Sequence, residues 1–298
     1  MNRLVLIDGN AMMHRAYHAL PPLTTPDGTL VNAVYGFTSM LIKVFQDLKP
    51  THMAVAFDRP EPTFRKELYK DYQAHRPELE DNMASQFPIL RDVIGAFHIP
   101  IYDASGFEAD DVLATAASHS SASEVVIVTG DRDILQLVDD RVKVLMPTKG
   151  LSEGTLFGKK EVREKMGVPP KLIPAFKALA GDPSDNYPGV SGIGPKTAIA
   201  LLEKYGSIKQ LIKAKKISDA ASASLGLKLA TIRTDAPITF SLKDARLFSL
   251  DTLDARTKLA ELHFPSLVKR LSGKVEKEKA KKIVPKKPER KKEQLSLV

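Results

Sequence analysis

The sequence predicts an α/β fold: a parallel-rich central sheet flanked by helices. Two observations carry this. Short apolar runs recur along the first half, each closed by an acidic or glycine-rich turn. Between them, apolar residues return with a period of about 3.6 residues, the mark of a helix buried along one face. Strands alternating with helices build crossover units, and those give parallel sheets covered on both sides.

The first run, residues 4–7, ends at Asp8-Gly9-Asn10. Residues 53–57 lead to Asp58, and the weaker run 100–102 follows. Residues 125–129 lead to Gly130-Asp131. The intervening helices are expected over 33–48, 87–97 and 110–117; the first carries Val34, Phe37, Leu41, Val44, Phe45 and Leu48 on one face. From about Lys159 the pattern is helical only: 162–166, 172–179, 196–204 and 208–213, separated by Gly/Pro turns. Residues 229–234 with 237–240 are expected to return to the sheet. This divides the chain into a core over 1–158, a helical region over 159–271, and a Lys/Glu/Pro-rich tail over 272–298 expected to be disordered.

Composition limits the function classes. With 298 residues the chain can bury a core without staples. There is no cysteine, so neither a disulfide nor a thiolate metal site is available. Neither a signal peptide nor a membrane span is expected at the N-terminus, because Asp8 interrupts the only early apolar run. The net charge of +8 belongs to the end of the chain. From Lys269 onward there are 12 Lys and Arg against 4 Glu, and the first 268 residues hold 32 of each sign. Any nucleic-acid surface on the body must therefore be local.

Open parallel sheets place functional groups just beyond the carboxyl ends of their strands. Here those ends are acidic. Asp8 and Asp58 follow the first two strands; Glu108, Asp110 and Asp111 lie past the third, where a helix begins; Asp131 and Asp133 follow the fourth. Asp182 and Asp185 sit in the turn Gly181-Asp182-Pro183-Ser184-Asp185-Asn186. Taken singly, each has a plain structural account as a helix cap, an acidic first turn, a salt-bridged turn or an Asx turn. Coincidence at four strand ends argues for one site. Two like charges about 4 Å apart cost on the order of 4 kcal/mol at an effective dielectric near 20, so such a cluster calls for cations. All-oxygen ligation points to Mg²⁺ or Mn²⁺. Two or more such ions, roughly 3.5–4 Å apart, activate a water and stabilise the leaving oxygen of a phosphodiester.

Two further stretches bear on nucleic acid. Gly189-Val190-Ser191-Gly192-Ile193-Gly194-Pro195-Lys196-Thr197-Ala198 opens a helix. Glycines let a backbone approach closely, and free N–H groups at a helix start attract phosphate. Gly192, Gly194, Lys196 and Thr197 are the candidate contacts to one DNA strand; an ordinary helical hairpin is the alternative. A K⁺ ion held by carbonyls of this turn is left open. Residues 64–77 mix cations with aromatics. Arg65, Lys70 and Arg76 are candidates for phosphate, Tyr69 or Tyr72 for stacking on an unpaired base, against the alternative of a solvated amphipathic helix.

Together, Leu6-Ile7-Asp8-Gly9-Asn10, Val34-Tyr35-Gly36-Phe37, Ala56-Phe57-Asp58, Phe64-Arg65, Glu108-Ala109-Asp110-Asp111, Thr129-Gly130-Asp131-Arg132-Asp133, Gly181-Asp182-Pro183-Ser184-Asp185-Asn186 and Gly189-Val190-Ser191-Gly192-Ile193-Gly194 resemble the bacterial 5′→3′ exonuclease and flap endonuclease family. The pattern is that of the N-terminal 5′ nuclease domain of DNA polymerase I, and it runs from Met1 to about Leu271. The resemblance implies a PIN-like core, a helical arch at about 60–85, and a helix–three-turn–helix DNA-binding module. It places Asp8, Asp58, Glu108, Asp110 and Asp111 in a first metal cluster, and Asp131, Asp133, Asp182 and Asp185 in a second. Arg65, Tyr72 and Arg76 would line the arch, and Gly36 would meet the duplex end. Members commonly have Tyr-Lys where this chain has Tyr72-Gln73, which weakens the expected hold on the scissile phosphate.

The activity so implied is metal-dependent hydrolysis of DNA near a single-strand/double-strand junction, in primer removal and repair. Substrates would be DNA with a 5′ flap or 5′ end, including RNA-primed DNA. The expected setting is a monomer in the bacterial cytosol, away from membranes, with a DNA polymerase in cis or in trans. The tail would add salt-sensitive affinity or serve as a linker. A PIN-type ribonuclease and a non-catalytic DNA-junction module are the alternatives.

Overall fold

The chain was analysed as a computed structural model, which describes residues 2–149 and 153–272. The tail expected over 272–298 lies, but for its first residue, outside the described residues. In chain order the elements are β1 (Arg3–Asp8), α1 (Gly9–Ala19), α2 (Asn32–Leu48), β2 (His52–Ala56), α3 (Phe64–Leu68), α4 (Asp81–Ala84), α5 (Gln86–Ala96), β3 (Ile101–Tyr102), α6 (Ala109–His119) and β4 (Glu124–Val128). They continue with β5 (Val142–Lys149), β6 (Glu153–Phe157), α7 (Lys159–Met166), α8 (Ile173–Ala180), α9 (Pro195–Tyr205), α10 (Ile208–Lys213), α11 (Ala220–Ala230), α12 (Leu253–Glu261) and α13 (Pro265–Leu271). No helix among the described residues is long and apolar enough to cross a membrane.

The strands form one sheet in the order β3-β2-β1-β4-β5-β6. All neighbours are parallel except β5 and β6. β1 explains why a continuous apolar run was needed. Successive side chains point to opposite faces, and here both faces are covered. Leu4 and Leu6 enter the core shared with α6 and α8, while Val5 and Ile7 enter the core shared with α1, α2 and α5. β4 divides the same way, Val125 and Ile127 against Val126 and Val128. The chain runs outward from β1 to β3, then returns to β4 on the other side. The sheet order therefore reverses between β1 and β4, and a crevice opens there at the carboxyl ends of the strands.

Two expectations are corrected. The sheet has six strands among the described residues, not four. The additional hairpin β5–β6 is an edge, with Gly154, Thr155 and Leu156 exposed, so it lacks the double-sided apolar run that marks the interior. The segment expected to return to the sheet over 229–240 forms no strand. Leu229 and Ala230 end α11, and the backbone beyond is satisfied by side chains instead. Ile232 N donates to Gln136 Oε1 (3.0 Å), Arg233 N to Asp111 Oδ1 (2.8 Å) and Ala236 N to Thr115 Oγ1 (3.1 Å). Pro237 has no N–H to offer a ladder.

Candidate metal centre and nucleic-acid interface

Each acidic residue is placed by the element that precedes it. Asp8 is the last residue of β1 and caps α1, its Oδ1 accepting from Ala11 N at 2.9 Å. Its Oδ2 accepts from Thr129 Oγ1 at 2.6 Å. The same Thr129 hydroxyl oxygen accepts from Asp131 N at 2.9 Å. This fully buried threonine thus ties the end of β1 to the turn after β4. Asp58 follows β2, and its Oδ1 accepts from Ala109 N at 2.7 Å. Glu108 caps α6, and Asp110 lies in its first turn. Asp131 Oδ1 accepts from Asp133 N at 2.8 Å. The loop after α8 is closed by paired backbone bonds between Asp182 and Tyr187, at 3.0 and 3.2 Å.

All of these acids but Asp182 converge on one cleft of about 520 Å³, lined by Asp8, Asp58, Glu108, Asp110, Asp131, Asp133 and Asp185, with Asn10, His14, Tyr72, Gln73 and Arg76 among the walls; Asp182 is buried beside Lys177. The electrostatics show the cost of that convergence. Burial, then the neighbouring Asp58 and Asp131 charges, push the Asp8 carboxyl up to about 7. Burial also lifts Glu108 to about 7 against the pull of Arg65. Asp110 is raised well above the carboxylate range by burial and by Asp131, Asp8 and Asp133. Asp58, on the cleft wall, is raised for the same first reason. Asp133 is pushed to about 7 by burial despite Lys177. At Asp182 burial acts in the same sense, but Lys177 and Ser184 outweigh it and hold that carboxyl below its usual range. One lysine thus leaves its two partners unequal, because Asp133 also faces Asp131 and Asp182.

The fit to a hard cation can be read from the donors. Oxygens of Asp133, Asp182 and Asp185 all lie within 4.8 Å of one another, and every candidate ligand is a carboxylate. That is the donor set of a divalent ion that takes oxygen.

Several expected roles are corrected by the packing. Asp111 is fully buried and absent from the cleft wall. Its Oδ2 accepts from Arg65 Nη1 (2.7 Å) and Glu108 N (3.1 Å); its Oδ1 accepts from Arg65 Nη2 (2.9 Å) and Arg233 N (2.8 Å). Four donors leave no lone pair for a metal, so Asp111 stands behind the ligands. Arg65, expected at a phosphate, is 2% exposed and also donates to Leu229 O (2.9 Å) and Thr231 O (3.2 Å). Tyr72, expected to stack on a base, is buried with its hydroxyl near Asp185 (3.3 Å) and Glu108 (3.4 Å). Gly36 is buried where α1 crosses α2: a Cβ there would lie 2.8 Å from that of Ala16, so it serves helix packing.

The span 60–85 holds two short helices, α3 and α4, rather than a long arch. Part of it docks on the acidic loop. Arg76 Nη2 and Gln73 Nε2 donate to Asp185 Oδ1 at 2.8 and 3.1 Å, and Asn186 Nδ2 donates to Asp71 O at 2.8 Å. Lys70 is exposed. So are Gly192, Gly194, Lys196 and Thr197, at the start of α9. Gly192 has φ +78°, a conformation costly for other residues, and it turns the backbone into that helix. Sequence reading missed Thr129, Lys177 and Tyr187 as parts of the site. Lys177 left one signal, a single cation in the otherwise apolar α8.

An open parallel sheet with a carboxylate-lined crevice at its point of reversal defines the class: a PIN-like α/β fold with a candidate metal centre. The family follows from comparison. Residues 3–167 match the model of the 5′-3′ exonuclease N-terminal resolvase-like domain, and residues 168–253 that of its C-terminal SAM fold. The chain belongs to the 5′-3′ exonuclease family. A 5′-3′ exonuclease of Aquifex aeolicus is 37% identical over 278 residues, covering 90% of this chain and 95% of that protein. DNA polymerase I of Bacillus caldotenax is 39% identical over 284 residues, covering 91% of this chain and 32% of the polymerase. The chain thus spans about a third of the length of the polymerase relatives it matches. The fold is also that of the bacteriophage T5 flap endonuclease solved with DNA and metal ions: TM-score 0.64, 18% identity, 92% of this chain and 98% of the other covered.

Proposed function

We propose that this protein is a structure-specific 5′ nuclease, hydrolysing DNA phosphodiesters at 5′ ends and 5′ flaps with Mg²⁺ or Mn²⁺. The carrying observation is that seven carboxylates from separate chain segments line one cleft. Family membership and the flap endonuclease fold support the same reading. Asp8, Asp58, Glu108 and Asp110 hold one ion, and Asp131, Asp133, Asp182 and Asp185 a second. Bound there, divalent ions supply an attacking water of lowered pKa and a counter-charge for the leaving oxygen.

The chain's own residues do the rest. Thr129 fixes the distance between Asp8 and Asp131. The exposed N–H groups at the start of α9, with Lys196, hold backbone phosphate without reading bases. Arg76 and Gln73, now on Asp185, stand on the cleft wall, where they can meet a backbone phosphate. A DNA polymerase, fused or separate, would take over the gap left by cleavage.

The test is a labelled 5′-flap duplex, beside single-stranded RNA, with Mg²⁺. Junction cleavage that stops with EDTA supports the proposal; cleavage of RNA alone, or binding without cutting, overturns it.

A pH dependence follows from the raised carboxyls. Asp8, Glu108 and Asp133 stay protonated in the fold up to about pH 7, whereas in the unfolded chain they ionise near pH 4. Their contribution to the metal-free protein is therefore present below about pH 4 and lost as pH rises to about 7. A metal ion needs them ionised, so it must displace protons below that value. The gain in melting temperature on adding Mg²⁺ is expected to grow from about pH 5.5 to about pH 8 and then level off. A gain independent of pH would contradict the raised carboxyls.

A further inference from the structure

The acids of the cleft differ in what offsets them. On the Asp8 side the carboxylates face one another, with neutral donors from Ala11, Thr129 and Ala109 and one cation at the edge, Arg65, which is anchored on Asp111 and reaches only Glu108, at 3.4 Å. On the far side two cations are built in: Arg76, on Asp185 with its side chain half exposed, and a buried lysine. Lys177 Nζ forms ion pairs with both Asp133 and Asp182, and its side chain is only 12% exposed. It is the fifth residue of a helix whose other residues are apolar, Ile173-Pro174-Ala175-Phe176 before it and Ala178-Leu179-Ala180 after it. The two acids it bridges belong to the set whose oxygens converge within 4.8 Å. An ammonium and a divalent ion cannot both sit among those oxygens, since each would repel the other at contact distance.

A second observation points the same way. The Tyr187 hydroxyl is the one buried side-chain polar atom among the described residues that has no hydrogen-bond partner. The residue is 4% exposed, and the charges that bear on its hydroxyl most are those of Asp182, Asp133 and Asp185. Buried polar groups nearly always have partners. With Lys177 on Asp133 and Asp182 and Arg76 on Asp185, this one has none. A divalent ion of the Mg²⁺ type keeps several of its waters when bound, and those waters are partners the lysine does not supply.

We propose that Lys177 is a resident counter-cation: it fills the second divalent-ion position, between Asp133, Asp182 and Asp185, and has to leave before an ion can enter. The inference rests on the reading that the cleft binds divalent ions. Its consequence is two sites of unequal strength. The Asp8 side has no cation bridging two of its acids, since Arg65 is anchored on Asp111 and reaches only Glu108, and it binds first. The Lys177 side binds weakly, because its apparent affinity is reduced by the fraction of molecules in which the lysine has swung out.

The test is binding of Mn²⁺ alone, followed by electron paramagnetic resonance of the free ion, in the full chain and in Lys177→Met. Methionine keeps the length of the stem and removes the charge. The weak site is expected to tighten by roughly tenfold or more, the gain available if the lysine is in place at least nine-tenths of the time, with the tight site unchanged. A weak site that keeps its affinity, weakens or disappears overturns the proposal. If neither protein binds Mn²⁺, the divalent-ion reading fails with it, a result distinct from the previous one. Should Lys177→Met not fold, the unmodified chain answers. Acetylation of Lys177, followed by mass spectrometry, is expected to be slow without divalent ions and to speed up as Mg²⁺ fills the weak site. Labelling unchanged at saturating Mg²⁺ overturns the proposal.

Discussion

Asp131→Asn is expected to stop flap cleavage, by on the order of a thousandfold or more, while leaving the affinity for a flap junction nearly unchanged. Asp131 sits where the two halves of the cleft meet. Its charge bears on Asp8, Asp58, Asp110 and Asp133 together, so a ligand of the second ion also sets the field at the first. Asparagine keeps an oxygen to accept from Asp133 N but removes the charge. Disturbing residues behind a metal's ligands already costs about 10–100-fold, and loss of a ligand charge should exceed that; a thousandfold is about 4 kcal/mol of barrier. The DNA contacts proposed at α9 lie on another element and should persist. A second readout separates this from misfolding. Removing one of several mutually repelling carboxylates should leave the metal-free melting temperature equal or higher, the usual exchange of stability for function at a site. Cleavage at the normal rate would remove Asp131 from the chemistry. A lower melting temperature with lost junction binding would show that its role is structural.

What the sequence disclosed, and what it withheld, follows from physical range. β1, β2 and β4 were legible because both their faces are buried, which demands unbroken apolar runs. β5 and β6 were not: the edge hairpin alternates, and Pro147 and Gly154 break its pattern. The carboxylates were legible as a set because strand ends locate them, each within a few residues of an apolar run. Their division of labour was not. Asp110 and Asp111 are adjacent in sequence and equally acidic, but on a helix adjacent residues point about 100° apart. Asp110 therefore faces the cleft and Asp111 faces Arg65, a partner 46 residues away. The roles of Thr129 and Tyr187 were not legible for the same reason, since their meaning lies in groups more than a hundred residues distant or in the lack of one.

That buried pair carries the second large effect, on stability rather than turnover. Asp111→Ala is expected to destabilise the protein by about 3–5 kcal/mol, the usual cost of removing one partner from a buried ion pair. At roughly 2–4 °C per kcal/mol for a domain of this size, the melting temperature should fall by about 10 °C. The reason is the charge left behind. Arg65, with its side chain 3% exposed, would keep its carbonyl partners Leu229 and Thr231 but lose its only fully enclosed counter-ion. Burial disfavours that guanidinium, and Asp111 and Glu108 are what hold it charged. Arg233 N and Glu108 N would lose their acceptor as well. Asp111→Asn should cost less, because it keeps an oxygen for one of those N–H groups. The double variant Asp111→Leu with Arg65→Met should recover part of the loss, since an apolar pair leaves no orphaned charge. If Asp111→Ala instead keeps its melting temperature and loses only a divalent ion in a Mn²⁺ titration, then Asp111 is a ligand after all. In that case its bonds to Arg65 describe a state that metal binding rearranges.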